Sequence, residues 1–312
     1  MNGKFTMSIM SERETTKSGN FDAAYRKHER RWKNNRYVYA VVSRRSRGIS
    51  IGINLNPGKE CNFRCVYCQV DRSVRPADRV VNLDRLALEL GVILQAERRG
   101  SLYNVDPFRV LPPEERGVRD IAFSGDGEPT AFPYFDRAVD IAVDARNSFR
   151  LDSAKIVLIT NAAYLDKPGI AGTLSLLDEN NGEIWAKLDA GTEEYFKRVN
   201  RPDASLERIL DNILNAARLR PLVIQTLWVR LHDTIPPDSE IEAYCGNLNR
   251  LLASGGFLKR VQFHTIARTP SEQFVSALSD TELDRIADSV RGKVPVNVEV
   301  FYGVDLRRDG GA

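Results

Sequence analysis

The sequence predicts an α/β fold with a parallel sheet and helices packed outside it. Two observations predict it. Between residues 49 and 267 six strand-like segments alternate with helical ones, the order that builds a parallel sheet through crossover helices. The strand segments are also short continuous apolar runs, such as Lys155 to Thr160, which suit a sheet buried on both faces. Alternation alone does not separate a doubly wound sheet from a barrel. At 312 residues the chain can hold one large domain or two ordinary ones, and an α/β barrel of this size can be one domain.

The elements follow in order. Residues 1–20 are polar and without period, as in a mobile arm. Asp22 to about Lys33 reads as a short helix. Arg36 to Ser43 is rich in β-branched and aromatic residues and reads as a strand. Ile49 to Asn54 is the next strand and runs straight into a cysteine loop. Asn82 caps a helix over 83–98, with Leu83, Leu86, Leu90 and Leu94 at helical spacing. Asp120 to Ser124 is a strand, followed by a Gly-rich turn and a helix at about 133–146. Lys155 to Thr160 is a strand, 168–178 a helix and Glu183 to Asp189 a strand. Thr192 caps a helix with Glu193 and Glu194 in its first turn, where carboxylates favour the helix dipole. Asn200-Arg201-Pro202 stops it. Ser205 caps a helix to about Arg218, Leu222 to Arg230 is a strand, and Asp238 or Ser239 caps a helix ending near Gly255 and Gly256. Arg260 to Ile266 is a strand. Ser279 and Glu282 form a capping box for a helix to about Arg291, and Val296 to Phe301 is a last strand.

Composition is that of a soluble globular protein, 42% hydrophobic and 28% charged, and no apolar run approaches the length that spans a bilayer. With no signal peptide and four cysteines, a disulfide framework is disfavoured and a cytoplasmic location expected. The net charge of +3 says little about partners, but residues 1–50 hold twelve Lys/Arg against four Asp/Glu. Trp32, Tyr37 and Tyr39 stand among those basic residues. Such a stretch can contact tRNA or another nucleic acid, and it can equally be a solvated helix face.

Cys61, Cys65 and Cys68 occupy one loop with the spacing C-x3-C-x-aromatic-C. Three thiolates so placed can hold three irons of a [4Fe–4S] cube and leave the fourth iron without a protein ligand. An open coordination position is where a metal does chemistry. A structural zinc site takes four Cys/His ligands, commonly from paired C-x2-C motifs. Only Cys65 and Cys68 make such a pair, and the fourth cysteine, Cys245, lies far along the chain in a helical stretch.

This loop resembles that of the radical S-adenosylmethionine (SAM) superfamily. The resemblance implies a partial (β/α)6 barrel, a [4Fe–4S] cluster on Cys61, Cys65 and Cys68, and reductive cleavage of SAM to a 5′-deoxyadenosyl radical that takes hydrogen from a substrate. It implies a low-potential reductant such as flavodoxin or ferredoxin. It places Tyr67 beside the adenine. Ser124-Gly125-Asp126-Gly127-Glu128-Pro129 is similar to the Gly-Gly-Glu-Pro element that takes the SAM amino group, with Asp126 inserted between the glycines. If those glycines admit the ligand to the backbone, a Val at either should weaken SAM binding and spare the cluster.

Period two puts Lys187 and Asp189 on one face of their strand. They either pair with each other or serve the site. The functional reading then has Asn161 near the SAM carboxylate or ribose, Lys187 on that carboxylate and Asp189 on the ribose or substrate. His264, a lone histidine, is either structural or, by its place at the sixth strand end, a substrate or SAM contact. Lys187, Asp189 and His264 are the catalytic candidates, and Arg230 closes the fifth strand.

Four segments between residues 37 and 270 are similar to a bacterial and archaeal group related to the wyosine-base synthases that modify tRNA. Those enzymes carry a second cluster on N-terminal cysteines, and the first 60 residues here contain none. The expected division is an N-terminal extension over 1–48, a barrel over 49–270 and a helix-strand addition over 271–312. The alternatives to a radical SAM enzyme of unidentified substrate are a tRNA-base modifier and a non-catalytic metal-binding module that holds RNA.

Overall fold

The computed structural model describes residues 32–76, 78–270 and 272–303. The expected arm over 1–20 and the body of the helix from Asp22 lie outside those residues. Eight strands form one sheet that curls into an open half-barrel. In sheet order they are β1 (Val38–Ser43), β2 (Gly48–Ile53), β3 (Val118–Phe123), β4 (Lys155–Thr160), β5 (Gly182–Lys187), β6 (Leu222–Leu227), β8 (Leu258–His264) and β10 (Val298–Phe301). β1 is antiparallel to β2, and every later pairing in this sheet is parallel. β7 (Val229–Leu231) and β9 (Val275–Ala277) form a separate antiparallel pair.

Among the described residues seven α-helices complete the fold: α1 (Leu83–Arg98), α2 (Phe135–Ser148), α3 (Ile170–Glu179), α4 (Glu193–Asn200), α5 (Leu206–Ala217), α6 (Asp238–Ala253) and α7 (Asp280–Lys293). Local chemistry explains their starts. The Asn82 side chain accepts from Arg85 N, Thr192 from Tyr195 N and Ser205 from Arg208 N. Ser279 and Glu282 form the expected capping box.

The strands divide the core by their period of two. Ile49, Ile51 and Ile53 point to the helix layer and are fully buried there with Ile121, Phe123 and Leu158. Full burial of each such side chain contributes about 1.5–3 kcal/mol. The inner face carries a small apolar cluster, Ala122, Val157, Trp185 and Val223, beside polar and charged side chains such as Asp120, Lys187 and Gln225.

Four expectations are corrected. The strand expected over Leu222 to Arg230 is broken at Trp228, which is fully buried and donates its N–H to His264 O. Arg230 therefore sits on β7, where its guanidinium pairs with Glu282, away from the barrel interior. Pro237, not Asp238 or Ser239, is the N-cap of α6. Trp32, Tyr37 and Tyr39 are core residues, 7%, 3% and 5% exposed, so they offer no stacking surface to a nucleic acid. Two of the described basic residues near them are engaged as well. Arg36 pairs with Asp78 at 2.6 Å, and Arg45 turns inward over the Trp185 ring.

Glu183 closes the inner floor. Its carboxylate accepts from Lys259 Nζ (2.8 Å), Lys155 Nζ (3.0 Å), Arg260 Nη2 (2.6 Å) and Trp185 Nε1 (2.8 Å). Burial alone would raise this carboxyl. The bonds from Arg260, Lys259, Trp185 and Lys155 outweigh it and hold the pKa at about 2. A depressed carboxyl stabilises the fold fully above its unfolded pKa of about 4.5, and that contribution is lost as the pH falls toward 2. Glu183→Gln should cost about 3–5 kcal/mol at neutral pH. It should also flatten the fall in unfolding free energy between pH 4.5 and 2, read by urea titration at several pH values. An acid limb identical to that of the native protein would sink this assignment.

Candidate active site

The loop after β2 is a built structure. Lys59 Nζ donates to Asp71 O and Val74 O, and Arg72 Nε returns to Lys59 O. Its inner part docks on the end of α4. Val66 N donates to Val199 O, Arg64 N to Asn200 O, and Phe63 makes a β-bridge to Pro202. The Phe63 and Phe196 rings meet edge to face at 5.6 Å. Asn200-Arg201-Pro202 therefore does more than stop a helix. Arg201 adopts the left-handed conformation (φ +43°) and turns the chain against the cysteine loop.

The three thiols of this loop are free of disulfides, and each sulfur accepts one N–H donor. Phe63 N reaches Cys61 Sγ at 3.5 Å, Asn200 Nδ2 reaches Cys65 Sγ at 3.4 Å and Arg72 Nη1 reaches Cys68 Sγ at 3.4 Å. Burial raises the Cys61 thiol, and burial with the nearby Asp189 charge pushes Cys65 up to about 12. Metal binding must therefore release protons from them. Among the described residues no three His, Cys, Asp or Glu side chains converge on one ion. A cluster needs no such convergence, because each thiolate serves a different iron. Cys245 is 3% exposed on α6 and does not line the cavity described next.

The cysteines border one end of a cavity of about 330 Å³ enclosed by the curled sheet. All the sequence-derived candidates line it or abut it, because all lie at C-terminal strand ends, where barrels place their sites. Asp189 is the hub. It is 1% exposed and accepts from Tyr67 OH, from Asn200 Nδ2 (2.9 Å) and from Leu227 N (2.8 Å). Lys187 Nζ lies 3.4 Å from Asp189 Oδ1 and 4.9 Å from the Tyr67 ring centre. The two charges thus pair, and Lys187 keeps its place on the cavity wall. Burial and the Asp189 charge raise the Tyr67 phenol far above its ordinary value, so it stays a donor.

The turn after β3 carries Ser124, whose carbonyl accepts from Tyr39 OH at 2.9 Å. Asp126 accepts from Asn54 Nδ2 at 2.8 Å. Glu128 borders the cavity and is buried. Its oxygens accept from Thr130 Oγ1, Thr160 Oγ1 and Asn161 N at 2.6–2.7 Å, so its carboxylate splices β3 to β4. The Asn161 amide donates to Asn62 Oδ1 in the cysteine loop at 2.8 Å. The glycines serve the same loop. A Cβ on Gly127 would stand 2.1 Å from Glu60 O, and one on Gly125 2.2 Å from Asn54 Oδ1. What needs the bare backbone here is the protein itself. His264 lines the far wall. Burial first, then the charges of Lys187, Arg45 and Arg44, hold its imidazole well below its usual pKa, hence neutral.

Asn200 was not among the candidates. In the sequence it stands at a helix end before Arg-Pro, which reads as a stop, and inside one of the four segments of resemblance. Asn54 and Asn62 were likewise missed, since both act through partners distant in sequence.

The family model of the radical SAM superfamily matches residues 55–235. The chain belongs to the radical SAM superfamily. The match begins at the residue after Asn54 and takes in the cysteine loop and β3 to β7. Similar proteins match more of the chain. A UPF0026 protein of Helicobacter pylori is 25% identical over 252 residues, 79% of this chain and 71% of that protein. A protein of Brachyspira hyodysenteriae named GTPase Obg is 23% identical over 275 residues, 86% of this chain and 35% of that protein. Streptococcus suis SuiB, solved bound to S-adenosylmethionine, superposes with a TM-score of 0.51 at 12% identity, over 82% of this chain and 49% of that one. The chain therefore spans about a third of the Brachyspira protein (35%) and about half of SuiB (49%). The likeness to SuiB is one of fold. Among the described residues no helix is long and apolar enough to cross a membrane.

Proposed function

We propose that this chain is a radical SAM enzyme with a single [4Fe–4S] cluster on Cys61, Cys65 and Cys68. The observation that carries the reading is the set of three thiols, each with one N–H donor, bordering a cavity inside the half-barrel. The cluster and SAM would together supply one-electron cleavage of the S–C5′ bond. An electron from a reductant such as flavodoxin or ferredoxin, plus SAM and a substrate hydrogen atom, would give methionine, 5′-deoxyadenosine and a substrate radical.

The rest is binding and positioning by the chain. Tyr67 would flank the adenine, the Ser124 to Gly127 backbone would take the amino group, and Lys187 would hold the carboxylate. Asp189 acts through Tyr67 and Lys187, and Glu128 and Asn161 through the loop they brace. These three are positioning residues. Donors on all three sulfurs suit thiolate ligands, because a charged acceptor gains more from each hydrogen bond than a neutral one.

Anaerobic reconstitution with iron and sulfide should give a brown protein with about four irons per chain. With dithionite and SAM it should release 5′-deoxyadenosine, detected by chromatography. A colourless protein that retains zinc and releases none would overturn the reading in favour of a metal-binding module.

A further inference from the structure

The cavity continues past the proposed SAM residues to a second end that the proposed function does not employ. There the β1–β2 turn folds Arg45 into the curl of the sheet. Its guanidinium carbon lies 5.2 Å from the centre of the Trp185 ring. Arg44, from the same turn, donates to Tyr302 O just beyond β10, so the turn bridges the two edges of the open sheet. Arg44, Arg45, Ser46, Trp185, His264 and Phe301 line this end. Arg45 and His264 lie outside the segment 55–235 common to the superfamily.

The charges at this end are unbalanced. The acidic groups of the cavity wall are turned toward protein donors: Asp120 toward Ser50 Oγ, Asp126 toward Asn54, Glu128 toward Thr130 and Thr160, and Asp189 toward Tyr67, Asn200 and Leu227 N. Among the described residues, Arg45 makes no ion pair and no hydrogen bond. Asp120 and the Trp185 face are its electrostatic company. His264 Nδ1 is buried without a partner among the same residues. Burial moves the Arg45 pKa down to about 10, which still leaves it charged. A desolvated cation with open donors is costly unless an anion completes it, and the planar guanidinium fork matches the two oxygens of a carboxylate or phosphate.

We infer that this end of the cavity binds the anionic group, a carboxylate or a phosphate, of a small-molecule substrate, with Arg45 as its main ligand and His264 as a second polar contact. The inference rests on the proposed function for calling the ligand a substrate. The anion site itself needs neither cluster nor SAM. A cavity of about 330 Å³ that holds these groups inside the sheet favours a small molecule over a polynucleotide.

The test uses the full chain and two probes, inorganic phosphate and acetate, titrated at constant ionic strength against chloride. Trp185 under Arg45 is the reporter. At least one probe should change tryptophan emission saturably, and Trp185→Phe should silence that change. Arg45→Gln should weaken the response at least about ten-fold, the loss expected for a charge-assisted bond, and Arg45→Lys should retain part of it. A response to phosphate alone or acetate alone names the group. No response to either probe in the native chain overturns the inference, as does an Arg45→Gln response equal to the native one. Iron content and SAM binding, measured on the same samples, should be unchanged in Arg45→Gln. Their absence in the native chain would sink the proposed function and leave the anion titration to stand by itself.

Discussion

Replacing Cys61, Cys65 or Cys68 singly with Ala should leave a chain that retains little iron after reconstitution and releases no 5′-deoxyadenosine, whereas Cys245→Ala should match the native protein in both. Each of the three would hold its own iron, so no neighbour can substitute for a lost ligand. The surroundings also offer none: the side chains that reach Cys65 and Cys68, Asn200 at the end of α4 and Arg72 in the loop, are donors. Cys245 is packed inside α6 at 3% exposure, and its truncation should cost only about 1 kcal/mol of stability. Iron and sulfide analysis with visible absorbance reads the first outcome, and thermal unfolding separates ligand loss from misfolding. A Cys245→Ala chain that loses its iron would show the ligand assignment to be wrong.

Gly127→Val should lose cluster retention together with SAM binding, each by more than about ten-fold. From sequence alone this glycine is expected to admit the ligand, and a side chain there to weaken SAM binding while sparing the cluster. The structure reverses that expectation. A Cβ at Gly127 would meet Glu60 O at 2.1 Å and Asn56 Cβ and Cγ at 2.8 Å, and Glu60 immediately precedes Cys61. A backbone carbonyl cannot yield as a flexible side chain does, so the cysteine loop itself must shift. Gly127→Ala carries the same clash and should lose iron as well. Gly125→Val drives into Asn54 Oδ1, which accepts from Asp126 N at 3.1 Å and Asn56 N at 3.0 Å, and should follow in milder form. Iron per chain and equilibrium dialysis of SAM read both quantities. A Gly127→Ala protein with full iron and weakened SAM binding would restore the ligand-approach reading.

The features legible in the chain's residues are local. The order of strands and helices follows from hydrophobic period, and β4 and α4 occupy the expected residues because a breaker or cap stands at each end. The three thiols could be read because ligands of one cluster share one loop. The alternation of Lys187 and Asp189 could be read because a strand has a period of two.

Features that depend on a partner far along the chain are set by the way the sheet folds. Glu89 looks like a solvent-facing helical acid, yet it is 4% exposed and receives the backbone N–H groups of Arg36, Tyr37 and Val38. Glu240 resembles a first-turn acid of α6 and instead anchors Gly191 N and Thr192 Oγ1 before α4. Asn200 reads as a helix stop and binds Cys65, Tyr67 and Asp189. Trp32, Tyr37 and Tyr39 carry a surface composition and lie in the core. Arg45 reads as one of a basic run and lies inside the barrel over Trp185, 140 positions away. In each case the side chain's environment is set by how the sheet curls and which edges meet. A buried polar group is tolerated only where the fold brings a partner to it, and the sequence carries the group without naming the partner.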